Sequence, residues 1–241
     1  MLEKTFTVAS FDVYPNSTLK PSALQRYMQQ LAREDCDGMG FTYKVMREVN
    51  MVFVLTKLGI NIEKPIYAYD EITVKTYQNR ISGITWEREF EIYRNGEEVI
   101  HATTQWVVVK FDTRQLVRPK DFPCQINSLD KECNTIPLPR SIDCSDAKEV
   151  GNRVVRLSDL DENDHLNNCV YSDIAMDIIP YNRENDFVNE VKIIFRQEAR
   201  INDILKLSLC EKEGKYNVSA YNETGEKPCF EASFGLGKIS S

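Results

Sequence analysis

The chain reads as one pattern written twice. Apolar residues Ala23, Leu24, Tyr27, Met28 and Leu31 form a helical stripe that begins just after Pro21, a residue suited to a first helical turn. Adding 147 to each number gives Val170, Tyr171, Ile174, Ala175 and Ile178, a second stripe that stops before Pro180. The same step carries Asp12 to Asp159, Asn16 to Asn163 and Leu19 to Leu166. Further on the offset shortens. Asp70-Glu71-Ile72-Thr73-Val74 answers to Asp203-Ile204-Leu205-Lys206-Leu207, and Gly96-Glu97 with Ala102-Thr103 to Gly225-Glu226 with Ala232-Ser233. Two regions that keep the same order and the same helical register point to an internal duplication.

Each copy predicts one helix among several antiparallel strands. In the first, Thr5–Phe11 alternates as a strand, and strands follow at Met51–Ile62, Glu71–Gln78, Thr85–Tyr93 and Val99–Phe111. Arg94-Asn95-Gly96-Glu97 is a hairpin turn signal. In the second, Arg153–Leu157 is strand-like and Asn168–Ile178 helical, with strands at Phe187–Arg196, Asp203–Glu211, Lys215–Tyr221 and Phe230–Lys238. Between the copies the periodicity lapses, and four prolines fall from Pro119 to Pro139. The expected fold class is therefore α+β: a tandem double hotdog, each unit an antiparallel sheet wrapping a central helix. The expected domains are residues 1–118 and 151–241, joined by a linker over 119–150.

Composition narrows the function. Lys+Arg 30 against Asp+Glu 37 gives a net charge of −7, which speaks against broad nucleic-acid binding. The apolar runs are strand-sized, so no membrane span is expected. Met1-Leu2-Glu3-Lys4-Thr5 leads straight into a strand pattern, with no signal or transit segment expected. Seven scattered cysteines without a C-x-x-C pair suit a reducing cytoplasm, and two histidines, His101 and His165, are too few for a His-rich metal site. Neither a metal nor a cofactor is expected.

The copies differ just before each helix. The second reads Asp159-Leu160-Asp161-Glu162-Asn163-Asp164-His165-Leu166-Asn167-Asn168. In the first, Tyr14 stands at the position of Asp161 and Thr18 at that of His165. Only the second copy thus has an acid, an amide and an imidazole at alternating positions, Asp161, Asn163 and His165, which an extended loop would aim one way. The unpaired N–H groups of the following helix would favour negative charge nearby. Turn-forming Asp and Asn also suffice as a capping loop, with Asn167 as N-cap. Downstream Glu198 stands where the first copy has Pro65, and a strand-end carboxylate paired with Arg200 is the alternative there.

The loop string resembles the acyl-acyl carrier protein thioesterases of plants and bacteria, whose loop reads similarly as D-x-N-x-H-x-N-N. Val52-Phe53-Val54-Leu55, Ala102-Thr103-Thr104-Gln105-Trp106-Val107-Val108, Asp112-Thr113-Arg114-Gln115-Leu116-Val117-Arg118 and the stretch from Phe195 to Ala199 also look like that family. The resemblance implies two fused hotdog units with the C-terminal one catalytic, hydrolysing the thioester of fatty acyl-acyl carrier protein to free fatty acid. It maps catalytic positions onto Asp161, Asn163, His165 and Glu198. The implied roles have Glu198 and Asp161 position and deprotonate the water. His165 orients it or passes a proton to the leaving thiolate. Asn163, with N–H groups at the helix start, polarises the carbonyl. Plant members have a cysteine directly after the glutamate; here that residue is Ala199, which leaves Cys169 as the remaining nearby thiol.

The implied partner is acyl carrier protein with its phosphopantetheine-linked acyl chain, and a homodimer stays open. That carrier is acidic by family expectation, so Arg80, Arg114, Arg118 and Lys120 are candidates for a docking patch. Met46, Val49, Met51, Phe53, Trp86 and Trp106 are candidates for the acyl tunnel, or simply for the core. Three other functions fit the same fold: an acyl-CoA thioesterase, a hydratase or dehydratase, and a non-enzymatic acyl-binding sensor. The hydratase loop usually places His five residues after Asp with a proline between; His165 follows Asp161 by four, with none. A sensor would be expected to have lost the acids.

Overall fold

The computed structural model describes residues 1–123 and 135–239. Cys124, Cys133 and part of the expected linker lie outside them. Strand β1 (Leu2–Thr7) leads through a short 3-10 turn to helix α1 (Pro21–Gly38) and helix α2 (Tyr43–Glu48). Strands β2 (Met51–Ile62), β3 (Glu71–Ser82), β4 (Thr85–Arg94), β5 (Glu97–Lys110) and the short β6 (Leu116–Val117) complete the first half. The second half has β7 (Lys148–Val154), α3 (Val170–Met176), β8 (Asp186–Phe195), β9 (Ile204–Lys212), β10 (Lys215–Asn222) and β11 (Lys227–Lys238).

The strands join in one sheet in the order β1-β3-β4-β5-β2-β8-β11-β10-β9-β7, with β6 beside β5. Each half thus repeats one order, and the two halves meet edge to edge at β2 and β8. Their pairing is antiparallel, with Gly59 opposite Lys192. Those two residues are separated by the same step of 133 that relates Asp70 to Asp203, so the junction lies on a pseudo-twofold axis. The helices cross near that axis too. Gln25 of α1 donates to Ser172 of α3 at 2.5 Å, and Arg26 pairs with Asp173 at 3.1 Å, both pairs 147 residues apart. Equivalent positions touch their own counterparts, as a twofold requires.

Hydrophobic burial explains why the sheet curls around its helices. Ala23, Leu24, Met28 and Leu31 are buried, and Tyr171, Ile174 and Ala175 answer them in the second unit. They share one core with Phe90, Ile92, Ile193 and Phe230 from the strands. Full burial of each large side chain contributes about 1.5–3 kcal/mol. A second cluster, Phe41, Met46, Met51, Trp86, Val108, Val117 and Phe122, lies in the first unit.

Several expected elements shift. The strand expected at Thr5–Phe11 runs over Leu2–Thr7, because the chain then turns through Ser10–Asp12. The helix expected at Asn168–Ile178 is the shorter Val170–Met176, and Cys169 occupies the N-cap, its N–H accepted by the Asn167 side chain. Helix α2 and strand β6 were not expected, being too short to show a period. Strand β7 begins at Lys148, inside the stretch expected as linker. Linker residue Ile136 packs across the outer face of the first unit, donating its N–H to Thr103 Oγ1 at 2.9 Å. Gly59 makes room for it: a Cβ there would lie 2.9 Å from Ile136 Cγ2.

Candidate active site

The loop before each helix has the same backbone in both units. Tyr14 N–H bonds to Thr18 O and Asp161 N–H to His165 O, both at 2.8 Å. Ser17 and Asp164 both take positive φ, 66° and 61°. Leu19 N–H reaches Ile66 O as Leu166 N–H reaches Ala199 O, which fixes Pro65 as the counterpart of Glu198. The scaffold is therefore common to both units, and the chemistry lies in what it displays. In the first unit Tyr14 packs against Tyr181 at 4.9 Å, and Asn16 donates to Asp186 O at 2.7 Å and to Tyr181 Oη at 3.1 Å, filling the position. In the second unit the corresponding residues line a cavity of about 960 Å³.

The expectation of an extended loop is corrected by this turn. Asp161 and His165 face each other across a tight reversal, because Asp161 Oδ1 accepts the N–H groups of Asn163 at 2.8 Å and His165 at 3.3 Å. The turn, not strand alternation, brings Asp161, Asn163 and His165 to one cavity. Glu198 arrives from the end of β8, and its Oε2 lies 3.4 Å from His165 Nε2. All four expected residues line the same space. The Asn163 Oδ1 atom is buried with no hydrogen-bond partner among the described residues. The N–H groups at the helix start are less available than expected: Asn167 takes that of Cys169 with its side chain and that of Val170 with its carbonyl.

Cys169 is a packing thiol. It is buried and donates to Gln29 Oε1 at 3.2 Å, and burial pushes its pKa up to about 12. At neutral pH it is protonated and a poor nucleophile.

The cavity reaches across the junction into the first unit, where Met46, Met51, Phe53, Trp86 and Trp106 line it. Val49 packs behind them instead. Arginines not expected as site residues also line it, Arg88 and Arg114 among them. Arg88, only 5% exposed, pairs with Asp35 at 2.7 Å. Arg114, expected in a docking patch, bonds to Glu198 Oε2 at 2.7 Å. The sequence signal for Arg114 is its place in the family-like string Asp112–Arg118, which covers the turn after β5 and β6 itself. Arg118 is held by Asp121 at 2.8 Å. Among the described residues no cluster of His, Cys, Asp and Glu has metal-binding geometry, and no helix is long and apolar enough to cross a membrane.

The family model for the acyl-ACP thioesterase N-terminal domain matches residues 1–125, and that for the C-terminal domain matches residues 143–231. The chain belongs to the acyl-ACP thioesterase family. Oleoyl-acyl carrier protein thioesterase 2 of Arabidopsis thaliana is 26% identical, over 84% of this chain and 61% of its own length. A dodecanoyl-[acyl-carrier-protein] hydrolase of Cinnamomum camphora is 23% identical, over 86% and 58%. The chain thus spans about three fifths of the length of these curated relatives. The solved structure of a 12:0-ACP thioesterase from Umbellularia californica superposes with a TM-score of 0.84 at 18% identity, covering 99% of this chain and 97% of that one. An acyl-ACP thioesterase from Bacteroides thetaiotaomicron gives 0.80 at 19% identity, covering 98% and 97%. Both share the double-hotdog fold of this acyl-ACP thioesterase family member.

Proposed function

We propose that the protein hydrolyses the thioester between a fatty acyl chain and the phosphopantetheine arm of acyl carrier protein, releasing free fatty acid. The observation that carries this reading is the meeting of His165, Glu198 and the Asp161 turn in a cavity that Met46, Met51, Phe53, Trp86 and Trp106 also line. Glu198 takes a proton from water as the water oxygen attacks the thioester carbonyl carbon. Asn163 donates to the developing oxyanion, an interaction worth roughly 3–4 kcal/mol. The tetrahedral intermediate then expels the sulfur as the C–S bond breaks. The thiolate regains a proton through His165, giving one acid and one thiol for each water consumed. Asp161 holds the turn that presents both groups.

The proposed division assigns residues 1–118 to the unit that houses the acyl chain, 151–241 to the unit carrying the catalytic loop, and 119–150 to their connection. Free thiols at Cys36, Cys144, Cys169, Cys210 and Cys229 support a reducing, cytoplasmic setting.

The test is to incubate the protein with acyl-acyl carrier protein and with acyl-CoA of equal chain length, measuring thiol and free acid together. Equimolar release, faster from the carrier protein, is expected. Glu198→Gln should lower turnover by ~10²–10⁴. Water added across an enoyl chain with the thioester intact would mean a hydratase, and tight acyl binding without release a sensor.

A further inference from the structure

Glu198 Oε2 receives two cationic or protonatable groups, while Oε1 has no partner among the described residues. Arg114 Nη2 stands 2.7 Å from Oε2 and His165 Nε2 stands 3.4 Å from the same atom. Arg114 comes from the other unit and sits in a turn closed by backbone hydrogen bonds. Its N–H bonds to Lys110 O at 2.9 Å, its φ is +58°, and the neighbouring Lys110 N–H closes the turn on Gln115 O at 2.8 Å. The guanidinium carbon also lies 5.8 Å from the centroid of the Phe111 ring. A planar donor with these supports restricts where the carboxylate can sit.

From this geometry we propose that Arg114 is a positioning residue for hydrolysis, and that it divides the labour between the two oxygens of Glu198. Oε2 is pinned between Arg114 and His165, and Oε1 is the oxygen left to take the proton of the attacking water. Without Arg114 the Glu198 side chain, 39% exposed, keeps only the longer contact to His165 and is free to rotate its oxygens. The first unit then does more than house the acyl chain: it sets the geometry of the base in the second. The inference rests on the hydrolase reading, and it moves Arg114 from carrier docking to the reaction itself.

The test compares wild type, Arg114→Gln and Arg114→Lys on two substrates: acyl-acyl carrier protein, and the acyl thioester of N-acetylcysteamine, which lacks the carrier. In Arg114→Gln, kcat should fall by about 10- to 100-fold on both substrates, because a base displaced by an ångström loses on that order. KM should hardly move. Arg114→Lys should recover part of kcat, since an ammonium restores the charge but not the planar fork. Thermal unfolding should be nearly unchanged, as expected for an exposed ion pair. Wild-type kcat in both variants overturns the proposal. So does a loss confined to KM for the carrier protein with the small thioester unaffected, which would return Arg114 to docking. Wild-type protein that hydrolyses neither substrate refutes the hydrolase reading and this inference with it, whereas active wild type with unaffected variants refutes only the role of Arg114.

Discussion

At the scale of single residues, Asp161 shows how one side chain serves both shape and chemistry. Its Oδ1 accepts two N–H groups of its own turn, leaving Oδ2 without a hydrogen bond from the described residues. A carboxylate acceptor is stronger than a neutral amide, but an amide oxygen can occupy the same place. Asp161→Asn should therefore preserve the turn and lose only what the charge contributes to the site. Asp161→Ala should lose the turn as well, displacing His165 and Asn163 together. Turnover should rank wild type, then Asn, then Ala, with Asn and Ala separated by about tenfold, the value of roughly 1.4 kcal/mol for a neutral hydrogen bond. Equal rates in the two variants would mean that Oδ1 does not shape the site.

At the scale of elements, the outer face of the first unit contains an acid network on strands β3, β4 and β5. Glu89 on β4 is fully buried and accepts from Thr103 Oγ1 at 2.6 Å, Asn79 at 3.3 Å and His101 Nε2 at 3.2 Å. His101 Nδ1 faces Glu98 at 2.9 Å, and the linker reaches the network through Ile136 and Thr103. Burial by itself would lower the pKa of His101, but its bonds to Glu89 and Glu98 outweigh that and raise it above the ordinary 6.5. A raised folded-state pKa contributes stability that is complete below the unfolded value and fades as pH climbs through the folded one. Chemical denaturation of wild type and His101→Gln should thus differ most below about pH 6.5, with the gap narrowing as pH rises above it. A gap that widens with pH would reverse the assigned charge. None of this network was legible beforehand, because its members are separated in sequence and meet only through strand register. The long strands were legible, and Met51–Ile62 was read to the residue, since its apolar and β-branched residues match a half-buried sheet. The candidate site residues stand out in the difference between copies, and they line one cavity, but through a turn and not through strand alternation. An extended loop and a tight turn can display the same side chains, and only the backbone hydrogen bonds distinguish them.

At the scale of the whole molecule, the pseudo-twofold relates two equivalent loop positions, and the chain uses them differently. The first is filled by Tyr14, Asn16 and Tyr181; the second opens into the large cavity. On the proposed reading the units contribute differently: Met46, Met51, Phe53, Trp86 and Trp106 come from α2, β2, β4 and β5, while the acid–imidazole pair comes from the second half with Arg114 of the first beside it. A change among those five apolar residues should alter which acyl chain is accepted without altering the chemistry on chains that still fit. Met46 on α2 is suited to the test, since it is buried yet lines the cavity, so added bulk can enter open space instead of closed core. Met46→Trp should shorten the preferred chain. Each methylene excluded costs about 0.8 kcal/mol of burial, or roughly fourfold in kcat/KM. Two lost methylenes would then favour the shorter substrate by roughly 16-fold, while kcat on short chains stays near wild type. The measurement is competition between acyl chains of stepped length, with the released acids resolved by chromatography. A uniform fall across all lengths would instead place Met46 in support of the catalytic geometry, and an unchanged profile would show that the acyl chain occupies another part of the cavity.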